Sequence, residues 1–152
     1  EILMKVGYAR FHLEDHLDAL KIYDKVLEID ITNPEAWNLK GLVHYEQRKY
    51  AKALDAVNKA IDSDKTYGMA WYNKACFLSL LNQVPESLQA LKHAIEIDVK
   101  NARKSIRDKD FANVRARCSI PSGISLVIGL LSLNHSNCRR ALGPPSPPSS
   151  IG

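Results

Sequence analysis

Apolar residues recur at spacings of three and four along the first hundred residues, as they do in helices with one buried stripe. Leu3, Val6, Gly7, Tyr8 and Phe11 predict a helix over residues 2–13. Glu14-Asp15-His16 interrupts it, and Leu17, Leu20, Tyr23, Val26 and Leu27 then carry the pattern on to Ile29. The same alternation predicts helices over 35–47 and 51–62, and again over 68–81 and 85–97. Asn33 before Pro34 marks a helix start, because the Asn side chain can accept from an orphan N–H and Pro at the first position gives up no bond. Pro85, after Asn82-Gln83-Val84, reads the same way. Asn101 shares the register of Asn33, so a seventh helix is expected over 102–115. Its apolar face would be Ile106, Phe111 and Val114, with Lys104, Arg107, Asp108 and Lys109 toward water.

These helices repeat. A shift of 34 residues places Trp37 on Trp71, Asn38 on Tyr72, Gly41 on Ala75, Ala60 on Ala94 and Asp64 on Asp98. The opposite shift places Gly41 on Gly7, Ala53 on Ala19 and Asp64 on Asp30. A period held twice without a gap implies a stack of similar units. The expected architecture is all-α: a solenoid of three antiparallel helix pairs, over about 1–33, 34–67 and 68–101, with a capping helix over about 102–116. Gly7, Gly41 and Ala75 recur on the first helix of each pair, and Ala19, Ala53 and Ser87 on the second. Small side chains at both places let two helix axes approach to the short end of ~8–10 Å. One pair cannot bury its stripe alone, so neighbours must stack and the last pair needs a cap.

Residues 118–152 leave this register. An apolar run rich in Ser and Gly (120–133) is followed by Gly-Pro-Pro-Ser-Pro-Pro-Ser-Ser, which can build neither helix nor sheet. The tail is expected to be irregular or disordered, or packed on the cap helix. Its apolar stretch is far short of the ~20 residues that cross a bilayer, so stable membrane insertion is not expected. Self-association through the tail is a possible use of it.

Charge refines the picture. The net charge is +4, yet residues 1–100 carry 13 Lys/Arg against 15 Asp/Glu. The excess sits in 101–117 and at Arg139-Arg140, not on a face spread over the repeats, so no nucleic-acid partner is expected. Three cysteines without C-x-x-C spacing argue against a disulfide framework and for a reducing, cytoplasmic compartment. The chain opens on Glu1, just inside the first unit, which reads as a fragment or a processed chain.

The repeated residues resemble the tetratricopeptide repeat family over residues 1 to about 117. The family pattern is Trp, then a large residue at +3, small at +4, large at +7, Ala at +16, aromatic at +20, Ala at +23 and Pro at +28. The second unit supplies Trp37, Lys40, Gly41, His44, Ala53, Val57, Ala60 and Lys65. The third supplies Trp71, Lys74, Ala75, Leu78, Ser87, Leu91, Ala94 and Val99, and the first Leu3, Val6, Gly7, Arg10, Ala19, Tyr23, Val26 and Ile31. The proline at +28 is missing from all three.

The resemblance implies a concave face lined by the first helix of each pair. Carried over by position, its residues are Glu1, Met4, Tyr8 and Phe11, then Glu35, Asn38, Leu42 and Tyr45, then Met69, Tyr72, Cys76 and Ser79. Arg103, Ile106 and Asp110 would follow on the cap. Such a face suits a protein scaffold that holds an apolar or amphipathic segment of a partner. An alternative is an assembly module whose groove or cap is filled by its own tail. A third is a degenerate form of the clamp with which part of the family grips a chaperone's C-terminal carboxylate. Asn73, Arg103 and Arg107 match that clamp, while Asn38 and Leu42 stand where it needs Lys and Asn.

Catalytic or metal chemistry finds little support. His12 and His16 are four apart with Asp15 between, but they straddle a predicted helix end and read as surface histidines. No phosphate loop, nucleophile elbow or motif-bound carboxylate pair occurs, so no enzyme, cofactor or metal is expected.

Overall fold

A computed structural model describes residues 1–117, and within them all regular structure is helical. Three helix pairs come first: α1 (Ile2–His12) with α2 (His16–Ile29), α3 (Pro34–Glu46) with α4 (Tyr50–Ser63), and α5 (Gly68–Leu80) with α6 (Val84–Ile97). Then follow α7 (Lys100–Arg107), a 3₁₀ turn (Lys109–Phe111) and α8 (Ala112–Arg117). The tail, with its expected apolar and Pro/Ser-rich stretches, lies outside the described residues.

The period extends to backbone geometry. Each pair turns through one residue in the left-handed region: Glu14 (φ 61°), Arg48 (φ 56°) and Asn82 (φ 62°). At the second turn the Lys49 N–H donates to the His44 carbonyl and Arg48 to Tyr45; Gln83 to Leu78 and Asn82 to Ser79 repeat this at the third. This closure satisfies carbonyls a helix end would leave orphaned. Between pairs, Asp30, Asp64 and Asp98 are extended, and their carboxylates accept from the N–H two residues on, at 3.0, 2.8 and 2.9 Å. Trp37 and Trp71 then pin these connections by donating Nε1–H to the carbonyls of Ile31 and Lys65.

Helix crossings fall at the small residues. A Cβ on Gly7 would lie 2.6 Å from Tyr23, and one on Gly41 would lie 2.9 Å from Val57. Ser87 instead donates its hydroxyl to the Ala75 carbonyl across the third crossing, at 2.7 Å. The largest core joins α4, α5 and α6 to Phe111 and Val114. Among the described residues α3 touches both α1 and α5. The first helices therefore form the inner row of the stack.

The C-terminal segment departs from the expected single helix over 102–115. Helix α7 starts at Lys100, whose N–H is taken by Asp98, so Asn101 lies inside it and does not cap it. The Asn101 amide donates back to the Ala94 carbonyl and closes α6. The chain then breaks at Asp108, which is extended (φ −71°, ψ 124°), and its carboxylate accepts from the Asp110 N–H at 3.1 Å. Asp competes with the helix by bonding nearby N–H groups, and here it wins.

Candidate protein-interaction face

The inner row divides into an open part and a covered part. On α1, Tyr8 is 51% exposed, while Met4 and Phe11 are half-buried against Ala19, Tyr23, Leu39 and Val43. His12 lies edge-on to Tyr8 (4.3 Å between centroids) and Phe11, and His16 is tilted against Phe11. The two histidines of the sequence pair thus flank an aromatic ring. On α3, Asn38 is buried and its side-chain Oδ1 accepts from the Asn73 side-chain Nδ2 at 2.8 Å, and Leu42 is half-buried between two cores. Met69, at the start of α5, is 58% exposed.

The rest of the row is covered by the chain itself. The Tyr45 hydroxyl donates to both carboxylate oxygens of Asp110, at 2.9 and 3.1 Å. Tyr72 is 2% exposed and donates its hydroxyl to Asp108 at 2.8 Å. The Ser79 hydroxyl donates to the Asp110 carbonyl. Phe111 is fully buried with its ring edge-on to Tyr72, and Lys104 lies 4.1 Å above the Tyr72 ring. Cys76 is buried among these groups. Tyr45, Tyr72, Cys76 and Ser79, all assigned to a ligand face by position, are here partners of residues 108–111. The sequence reading placed Asp110 on the groove but did not connect Tyr45 and Tyr72 to a carboxylate each.

The electrostatics follow from burial. It raises the Tyr45 and Tyr72 hydroxyls well above the ordinary tyrosine value, with the hydrogen bonds to Asp110 and Asp108 adding to it. It also raises the Cys76 thiol, helped by the two nearby carboxylates. Asp110 is raised by burial, against the Tyr45 hydrogen bond that favours its charged form. Ligand atoms of Cys76, Asp108 and Asp110 lie within 4.8 Å of one another, as a metal site would need. In this structure both carboxylates accept hydrogen bonds from tyrosine hydroxyls, Asp110 from Tyr45 and Asp108 from Tyr72.

Of the clamp residues, Asn73 is spent on Asn38, and Arg103 and Arg107 are exposed on α7. No helix among the described residues is long and apolar enough to cross a membrane.

Comparison with known proteins agrees with this geometry. Residues 13–94 match the family described as anaphase-promoting complex, cyclosome, subunit 3. The protein bimA of Emericella nidulans is 28% identical over 97 residues, which are 64% of this chain and 12% of that protein. The chain thus spans about an eighth of that relative. Three solved structures share the fold at low identity. The first tetratricopeptide module of Spaghetti (RPAP3), bound to the HSP90 peptide SRMEEVD, superposes with a TM-score of 0.64 at 18% identity, covering 76% of this chain and 86% of that one. MamA gives 0.70 at 18%, covering 85% and 74%. The Yersinia enterocolitica secretion chaperone SycD, in complex with a YopD peptide, gives 0.64 at 14%, covering 86% and 91%.

Proposed function

Since the chain belongs to the anaphase-promoting complex subunit 3 family and is built of tetratricopeptide repeats, we propose that it is a protein-interaction module, binding and not catalytic, that holds an apolar or amphipathic segment of a partner along its inner row. The observation that carries this reading is the part of that row which the chain leaves uncovered. Tyr8 on α1 and Met69 at the start of α5 stand 51% and 58% exposed, and Met4, Phe11 and Leu42 are half-buried on α1 and α3. An aromatic ring and a thioether left accessible on this row are side chains of the kind that an interface uses as anchors. The RPAP3 module and SycD, which share this fold, are both described with a bound peptide, and this supports a peptide ligand here.

The test is site-specific photocrosslinking followed by affinity measurement. A benzoylphenylalanine at Tyr8 should trap a partner segment that the same group at Lys25, on α2, does not. Tyr8→Ala with Met69→Ala should then weaken that segment roughly tenfold or more, since interface anchors of this type carry ~2 kcal/mol. The melting temperature should stay within a degree or two, because both side chains are exposed. Equal trapping at both positions, or unchanged affinity in the double variant, would place the ligand elsewhere.

A further inference from the structure

The covered half of the inner row is filled by a segment of the same chain. Three hydroxyl donors from two helices converge on one short segment: Tyr45 on the Asp110 carboxylate, Tyr72 on Asp108, and Ser79 on the Asp110 carbonyl. Hydroxyl-to-carboxylate bonds are charge-assisted and stronger than neutral ones. Beside them Phe111 fills an apolar recess against Tyr72 and the α5–α6 core, with no exposed surface. The segment reaches α3 across α5: the Tyr45–Asp110 bond joins residues 65 apart in sequence.

We propose that the α3–α5 face recognises a short acidic–x–acidic–aromatic motif, that Asp108-Lys109-Asp110-Phe111 occupies it in cis, and that a partner carrying the same motif binds by displacing this segment. This deepens the interaction reading and rests on it. The segment has little regular structure of its own to hold it. It is one 3₁₀ turn between two short helices, α7 of eight residues and α8 of six, and the chain is already extended at Asp108. The site residues stay behind on α3 and α5, which the rest of the stack holds. A tethered segment acts at an effective concentration in the ~mM range, so a free competitor binds the intact chain weakly and a loosened chain strongly.

The probe is a fluorescein-labelled peptide of residues 105–114, followed by anisotropy on the full chain. Phe111→Ala empties the apolar recess without touching the site, and should bind the peptide at least tenfold more tightly than the unmodified chain. Adding Tyr45→Phe and Tyr72→Phe should abolish that gain, as should replacing the peptide's own phenylalanine by alanine. Circular dichroism checks the fold of each variant. If Phe111→Ala does not fold, Asp108→Asn with Asp110→Asn loosens the same segment by weakening its two carboxylate contacts, and should give a gain of about threefold. A folded variant that does not bind the peptide, or affinity equal in variant and unmodified chain, would overturn the proposal and leave residues 108–114 as a fixed cap. Peptide binding and trapping through Tyr8 fail independently, so loss of one does not sink the other.

Discussion

Gly41→Ala tests the helix crossing on which the stack depends. The added Cβ would sit 2.9 Å from Val57 Cγ1, 3.2 Å from the Ala53 carbonyl and 3.6 Å from Ala56 Cβ. Val57 and Ala53 have no exposed surface, and a β-branched side chain in a helix has essentially one rotamer. Neither neighbour can step aside cheaply, so α3 and α4 must separate. Overpacking of this kind costs about 1–3 kcal/mol, while Ala for Gly inside a helix returns about 1 kcal/mol. The net expectation is a loss of roughly 1 kcal/mol, or a fall in melting temperature of about 4 °C for a domain this size. Gly41→Leu should lose more. The decisive measurement is a double-mutant cycle with Val57→Ala by urea unfolding at 222 nm. Removing the clashing methyl groups should make Gly41→Ala milder by about 1 kcal/mol, because residues in contact couple. If Gly41→Ala raises stability equally in both backgrounds, the crossing has slack and the small-residue argument fails.

Arg48→Gly should stabilise the chain by about 0.5–1 kcal/mol, because φ 56° is strained for a residue with a Cβ; Asn82→Gly should do less, since Asn tolerates that region, and thermal melts of the pair decide it. Ser87→Ala should cost about 1 kcal/mol through the lost bond to the Ala75 carbonyl, read from urea midpoints. Asp110 makes stability depend on pH with a definite sign. Its value in the folded chain is raised above 3.8, so its contribution is complete below that and is lost as pH rises through the raised value. The melting temperature of the unmodified chain should therefore climb relative to Asp110→Asn as pH falls from 7 toward 4, and a constant difference would mean that Asp110 is not desolvated.

The repeats were legible because their causes are local. The spacing of Leu17, Leu20, Tyr23 and Leu27, the Asn33-Pro34 start and the small residues at 7, 41 and 75 each act over one or two turns of chain. The Asn33 side-chain Oδ1 does accept from the Ala36 N–H at 2.9 Å. The same logic misplaced Asn101, whose neighbour Asp98 takes the Lys100 N–H first and starts α7 earlier. The break after α7 is also marked in the sequence. Phe111 follows Ile106 by five positions, a step that a continuous helix cannot keep on one face, and Asp108 lies between them with a side chain suited to ending a helix.

The covering of α5 could not be read from sequence, because it depends on a meeting of Tyr45 with Asp110 that no local rule contains. Position within the repeat assigns Tyr45, Tyr72, Cys76 and Ser79 to a ligand face, an assignment that presumes a next helix continuing the stack. Here the next helix ends after eight residues. The chain then has a buried aromatic still to place: Phe111 must leave water, and the recess beside Tyr72 is where α5 offers apolar surface. Once Phe111 is seated, Asp108 and Asp110 are carried inward and need donors, which a buried carboxylate cannot do without. Tyr72 and Tyr45 supply them. The aromatic fixes the place, the carboxylates fix the register, and the polar ends of residues that positional rules reserve for a partner are what make the arrangement affordable in free energy. Under the proposed displacement, a partner would match both terms, an aromatic ring for the recess and acidic groups for the two tyrosine hydroxyls.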